Sequence, residues 1–329
     1  MIDSLISPTV AGTMYVSSST AIAYSVRRIK LENDSKRIPI MGVMGAFIFA
    51  TQMVNFTIPG TGSSGHFDGA ILASIILGPY AGFLTMMGVL CIQCLLFADG
   101  GILALGCNIW NMAFYGCFIA FFLIWRPIIY KGITKFKIIL FSMLGCILSL
   151  ELGAFSVTLE TLFSGITELP FNLFVSSMLP IHLAIGIVEG VITASILLFI
   201  YKIRPDLFYD YNRLEHYKTK DILKKYVYIF LVFSVLIGGG LSLFASSNPD
   251  GLEWSVQKIM NNNSELVSKD KLHQNISSIQ NKVSLFPDYN FRNSRQKVSA
   301  SLSGIIGVFF TFFICSSTLY IFKLFKKRK

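Results

Sequence analysis

Charged side chains are scarce in this chain, at 14% of its 329 residues, where a soluble globular protein carries about 25%. A water-facing surface is hard to build from so few charges, and a mean hydropathy of +0.62 points the same way. Histidine is rarer still, with four copies. Glycine shows no period, which excludes a collagen-like fibre, and a hydrophobic content of 53% excludes disorder. Several catalytic signatures are missing: there is no G-x-x-x-x-G-K-[ST] to cradle ATP phosphates, no H-E-x-x-H and no G-x-S-x-G. Nor is there a disulfide framework. The six cysteines (91, 94, 107, 117, 146 and 315) all lie inside apolar segments, where cysteine acts as a small hydrophobe. Cys91 and Cys94 have the spacing of a redox or zinc half-site, but no second pair accompanies them, and helix packing accounts for both.

Long apolar runs are what the chain has in quantity. A bilayer core about 30 Å thick takes roughly 20 residues of helix. The runs fall at 9–26, 38–56, 66–78, 80–97, 103–125, 137–160, 171–201, 224–244 and 298–323. They predict an all-α polytopic membrane protein of about nine transmembrane helices. Gly78-Pro79, a helix-breaking pair, separates the third run from the fourth and predicts a turn. The net charge of +10 then reads as basic cytoplasmic loops, with no nucleic acid as partner. Segments 27–37, 126–137, 202–225 and 323–329 hold 21 of the 28 Lys and Arg residues, whereas the connections at 57–65, 98–102 and 162–179 hold none. The positive-inside rule places the basic set in the cytoplasm, with the N-terminus outside and the C-terminus inside. The first run lacks a basic n-region and is read as a retained helix, not a signal peptide. The polar-poor residues 1–8 are expected to tuck back into the bundle.

The predicted organisation is a seven-helix body over 1–203, a basic cytoplasmic linker over 204–223 and a two-helix appendage over 224–329. Between the last two spans, residues 246–297 turn rich in Asn, Ser, Lys and Gln, as an extracytoplasmic loop would.

The chemistry-bearing stretch is Pro59-Gly60-Thr61-Gly62-Ser63-Ser64-Gly65-His66-Phe67-Asp68-Gly69. Glycines let the backbone fold tightly at membrane depth, where irregular chain survives only if buried or lining a cavity. An imidazole delivered there can ligate Ni²⁺, Co²⁺ or Zn²⁺; the alternative is a histidine that caps the loop by hydrogen bonding. Other polar groups inside spans are Asn108, Asn111, Glu151, His182 and Glu189, and ionisable groups in a membrane point to function by default. His182 and Glu189 lie two helical turns apart on one face. The asparagines suit interhelical hydrogen bonds. Glu151 and Glu189 suit either helix packing or ion passage. On the first helix Ser17, Ala21 and Ser25, with Ser19 and Ala23 one face over, form small-xxx-small patterns that fit internal packing or the docking of a partner helix.

Five stretches together resemble a known family. They are Leu5-Ile6-Ser7-Pro8, the run from Pro59 to His66, Leu77-Gly78-Pro79-Tyr80, the segment from Leu96 through Asn108-Ile109-Trp110-Asn111-Met112, and His182 to Glu189. They resemble the substrate-capturing membrane component of cobalt/nickel energy-coupling-factor transporters, the CbiM/NikM type. Pro249-Asp250-Gly251-Leu252-Glu253 resembles the PDGLE module that accompanies it, separately or fused. The resemblance implies capture of Co²⁺ or Ni²⁺ as transported substrate, with no resident cofactor. It also implies a bacterial plasma membrane, a separate transmembrane coupling protein and a pair of cytoplasmic ABC ATPases, so that the chain itself is not an enzyme. In the family the ion is held by the N-terminal amine, the backbone and imidazole of a histidine at the second position, and the histidine of the glycine-rich loop. His66 carries over directly. Position 2 is Ile2, so either translation starts upstream or the ion site differs, built from the Met1 amine, His66 and Asp3 or Asp68. Competing readings are a relative that captures another small solute, an intramembrane enzyme using His66, Asp68 and Glu151, and a structural subunit without substrate.

Overall fold

Ser7 and Pro8 set the start of the first long helix, α1 (Pro8–Arg28): the Ser7 hydroxyl accepts a hydrogen bond from the Val10 N–H, and proline occupies the first turn, where its missing N–H is no loss. Ahead of it a 3₁₀ turn, Asp3–Leu5, leads the tail inward, and Leu5 and Ile6 are fully buried. The apolar tail therefore does tuck into the bundle. This computed structural model describes residues 1–29, 37–129, 132–209, 223–260, 271–291 and 297–327. Most of the basic linker predicted over 204–223, and parts of the other basic segments, lie outside those residues.

After α2 (Arg37–Gln52), a short antiparallel hairpin pairs β1 (Phe56–Thr57) with β2 (Ser64–Gly65), in the register Phe56↔Gly65 and Thr57↔Ser64. The glycine-rich stretch is its tip. The third predicted run then resolves into loop through Gly69 followed by a short helix, α3 (Ala70–Leu77). At 1.5 Å per residue that helix is about 12 Å long, too short to cross a bilayer by itself. Gly78 takes φ +89°, a conformation open to glycine, and Pro79 begins α4 (Pro79–Phe97). A Cβ on Gly82 would lie 2.9 Å from the Ser74 backbone nitrogen, so α3 and α4 fold back on each other and the Gly-Pro break is a turn, as the sequence predicts.

A continuous rod follows, made of α5 (Leu105–Asn108), a π-wound stretch (Ile109–Trp125) and α6 (Arg126–Ile129). Then come α7 (Lys135–Ser164) and α8 (Phe171–Ile203), which run antiparallel, with Gly186 against Ile147 and Gly190 against Met143. Lipid removes the hydrophobic drive between membrane helices, and close approach at small residues supplies dispersion contacts instead. The appendage consists of α9 (Leu223–Gly239), α10 (Gly251–Ile259), α11 (Lys271–Val283) and α12 (Lys297–Lys327). Its last helix packs on the body where Gly42 meets Phe312 and Gly45 meets Cys315, and α9 closes on α12 at Gly238 and Gly304. Among the described residues six helices are long and apolar enough to cross a membrane: Pro79–Phe97, Leu105–Ile128, Lys135–Ser164, Phe171–Ile203, Val227–Phe244 and Val298–Ser317, with Pro39–Gln52 shorter but apolar. α1, rich in Ser and Thr, falls outside that set.

The small-residue stripe predicted for partner docking faces the other way. Ser25 is fully buried, Ala21 packs against the core and Ser17 is half-buried. Ser25 Oγ donates to the Ala21 carbonyl and Ser17 Oγ to that of Thr13. Ser19 and Ala23 are the ones exposed.

Candidate metal centre

The hairpin carries His66 into the bundle, and three polar contacts hold the chain beyond it. Glu189 on α8 accepts from the backbone N–H groups of Asp68 (3.1 Å) and Gly69 (3.0 Å), and Gln52 Nε2 donates to the Asp68 carbonyl at 2.7 Å. Asp68 in turn accepts from the Ala70 N–H at 3.4 Å, at the start of α3. Loop backbone at this depth has no water to bond, so each N–H needs such an acceptor.

The N-terminus arrives from the other side. The Met1 amine donates to Asn108 Oδ1 at 2.9 Å, while Asn108 Nδ2 and the Gly101 N–H donate to the Met1 carbonyl at 3.3 and 3.2 Å. Asn108 thus grips both ends of the first residue. Asp3 anchors the same segment by accepting from the Ala104 N–H at 3.0 Å. Burial pushes the Asp3 carboxyl above its ordinary range, against the opposing pull of that N–H and of His273. The His273 ring nitrogen Nε2 bonds the Ile6 carbonyl at 2.9 Å.

Between these two arrivals lies a cavity of about 110 Å³, bordered by Met1, His66, Asp68, Asn108, Asn111 and His182. That is room for an ion with several waters, one water needing about 10–15 Å³ on the same measure. His66 Nδ1 and Asp68 Oδ1 are buried without a hydrogen-bond partner, the unsatisfied state that a bound cation would relieve. Among the described residues no three His, Cys, Asp or Glu side chains form a metal-ligating cluster. The residues at the cavity instead carry a mixed donor set, an amine, two imidazoles and carboxyl groups, and nitrogen donors of this kind suit borderline divalent ions.

The appendage reaches the cavity. Asp250, Gly251 and Leu252 form part of its wall. Asp250 caps α10 by accepting from the Glu253 N–H at 2.8 Å. The hairpin docks on this segment through Ser64, whose N–H donates to the Pro249 carbonyl and whose hydroxyl donates to that of Asn248, both at 2.8 Å. Trp254 Nε1 donates to the Thr61 carbonyl at 2.9 Å. Gly251 has no room for a side chain: a Cβ there would stand 3.0 Å from His182 Cε1 and 3.2 Å from Ile185 Cδ1.

Of the residues singled out from the sequence, Met1, His66, Asp68, Asn108, Asn111 and His182 share the cavity. Asp3, Glu151 and Glu189 do not border it. Asp3 is turned to the Ala104 backbone and Glu189 pins the loop from behind. One oxygen of Glu151 is buried and unpaired on α7 away from the cavity wall. Asn111 makes the interhelical bond expected of it, Nδ2 to Glu160 Oε2 at 2.8 Å. Glu160 is itself a buried carboxylate at the end of a predicted span, unnoticed in the sequence. Residues 250–252 were likewise set apart as a separate module, and no local periodicity ties them to His66.

Comparison with known proteins matches two family models, one after the other along the chain. The family described as "Cobalt uptake substrate-specific transmembrane region" matches residues 1–207, and the PDGLE domain matches residues 224–324. A putative fused nickel transport protein NikMN from Archaeoglobus fulgidus is 39% identical over 214 residues, 62% of this chain and 66% of that protein, just under two thirds of its length. The probable fused nickel transport protein LarMN from Lactiplantibacillus plantarum is 26% identical over 93% of both chains. A cobalt transport protein CbiM from Sorangium cellulosum is 29% identical over 57% of this chain and 83% of that one. Among solved structures, a crystal structure of a transition metal transporter is 28% identical, with a TM-score of 0.55, covering 70% of this chain and 98% of that one.

Proposed function

The chain belongs to the cobalt uptake substrate-specific transmembrane family, with a PDGLE domain carried on the same polypeptide, and from that premise we propose that it captures Ni²⁺ or Co²⁺ as the substrate-specific component of an energy-coupling-factor transporter in the bacterial plasma membrane. The observation that carries this reading is the meeting of Met1 and His66 at one cavity, with His66 Nδ1 left unpaired. The names of the relatives, nickel transport for two and cobalt transport for another, support the class of ion.

In this mechanism the body holds its ligands ready before the ion arrives. Asn108 fixes the amine and Glu189 fixes the loop, so little ordering remains to oppose binding. Asp250, Gly251 and Leu252 form part of the cavity wall, and shifting that wall admits or retains the ion. Release toward the cytoplasm is driven by partners, a transmembrane coupling protein and two ABC ATPases, because the chain has no phosphate-binding loop of its own. The proposed topology is about nine crossings, the third made by the loop through Gly69 together with α3, with the N-terminus outside and the C-terminus inside, as the Lys and Arg distribution favours. The exposed face of α1 with Ser19 and Ala23 is the surface proposed to meet the coupling protein.

The direct test is calorimetric titration of the purified protein in detergent with Ni²⁺ and with Co²⁺. Saturable binding to the native chain and its loss in His66→Ala are expected. A native chain that binds neither ion would overturn the reading.

A further inference from the structure

We infer that His182 is a ligand of the transported ion, its Nε2 joining the Met1 amine and His66 as a third nitrogen donor. The inference rests on the capture reading above and adds a residue to it.

The tautomer is set by geometry. His182 Nδ1 lies 2.8 Å from the Met178 carbonyl, one turn back on α8. A carbonyl oxygen only accepts, so Nδ1 carries the proton and Nε2 carries the lone pair. This is the arrangement found behind metal-bound histidines, where the remote ring nitrogen donates to a backbone carbonyl and thereby fixes the orientation of the ring. No described residue hydrogen-bonds Nε2.

Position agrees with tautomer. His182 and His66 border the same cavity together with Met1, although they come from elements far apart in the chain. Gly251 packs against the Cε1–Nε2 edge of the ring: its missing side chain leaves space for the imidazole, and a Cβ there would lie 3.0 Å from Cε1 and 3.4 Å from Nε2. The contact restrains the ring without supplying a hydrogen on Nε2, since a Cα–H is a poor donor. The lone pair is thus fixed in place and left unmet by the protein. Asp68 and Asp250 place two carboxyl groups on the same wall.

Two bound imidazoles distinguish this site from one built on His66 alone, and Ni K-edge X-ray absorption counts them directly. For the native full-length chain loaded with one equivalent of Ni²⁺, the multiple-scattering signature of two imidazoles is expected. His182→Ala should reduce the count to one and weaken Ni²⁺ binding by about 10–100-fold, a loss that even outer-shell partners cause in metal sites. His182→Gln, which preserves side-chain bulk, should show the same drop in imidazole count and guards against an Ala variant that does not fold. His66→Ala separates the two ideas. If native protein binds Ni²⁺, His66→Ala abolishes binding and the native spectrum shows one imidazole unchanged in His182→Gln, the capture reading stands and the role of His182 is overturned. If native protein binds no ion, both are overturned.

Discussion

The carboxylate of Glu189, on the eighth helix, accepts hydrogen bonds from two successive backbone N–H groups, those of Asp68 and Gly69, at 3.1 and 3.0 Å. One side chain thus positions the loop that delivers His66, from outside the cavity. Replacing it with alanine leaves two buried donors unmet, at about 1–3 kcal/mol each. Glu189→Ala should lower the unfolding temperature in detergent and weaken Ni²⁺ binding together, although the residue touches no ion. Glu189→Gln, whose amide oxygen still accepts, should retain part of both. Thermal unfolding and calorimetry on the two variants check this, and full Ni²⁺ affinity in Glu189→Ala would refute it.

Asn108 holds the first residue by its amine and by its carbonyl. Asn108→Ala removes both contacts at a cost of about 1–3 kcal/mol, and the amine loses its fixed position. Weaker Ni²⁺ binding should accompany faster acylation of the α-amine by an amine-selective reagent, read by mass spectrometry of the N-terminal peptide. Unchanged labelling would show that other contacts suffice to hold the segment.

Trp254 ties the appendage to the hairpin tip through the Thr61 carbonyl. Trp254→Phe deletes that hydrogen bond but keeps most of the ring, a loss of about 0.5–1.5 kcal/mol. Amide hydrogen exchange should quicken over residues 58–66 and over α10, while the contacts of α7 with α8 stay protected. Exchange spread evenly over the whole body would argue against this local coupling.

Asp3 gives a pH dependence with a definite sign. Burial raises its folded value above that of the unfolded chain, so protonation favours the folded state. Its contribution is fully present below the ordinary carboxylate range and is lost as pH rises through the raised folded value. Asp3→Asn keeps an acceptor for the Ala104 N–H without the charge. In metal-free protein its stability relative to wild type should therefore improve as pH climbs through that window and then level off. Unfolding temperatures measured from acid to neutral pH check it, and a flat difference would be the contrary outcome.

Features written in local chemistry were legible in the sequence. Gly78-Pro79 can hardly continue a helix, the tip of residues 58–63 is dominated by turn formers, and a tail of Leu5 and Ile6 has little reason to stay in water. His66 stood out because ionisable residues at membrane depth are few. The rotation of α1 could not be read in the same way. Ser, Thr and Ala surround that helix on all sides, so apolar contrast does not say which stripe turns inward, and Ser25 rather than Ser19 is the buried one. The third predicted run hid a loop, because Phe67 and Ala70 are apolar whether helical or not. The approach of Gly251 to His182 depends on chain segments some seventy residues apart, and no short-range pattern encodes it. The π winding of Ile109–Trp125 shifts side-chain directions from those of an α-helix, so a period of 3.6 does not report which residues of that rod face the bundle.

A wall that is part of the same polypeptide cannot diffuse away. A tethered segment meets its site at a high effective concentration, so individually modest links such as Ser64 to Pro249 and Trp254 to Thr61 suffice to keep it at the cavity wall. Covalent fusion separates occupancy from tightness: the segment at the cavity wall need not bind strongly to be present there.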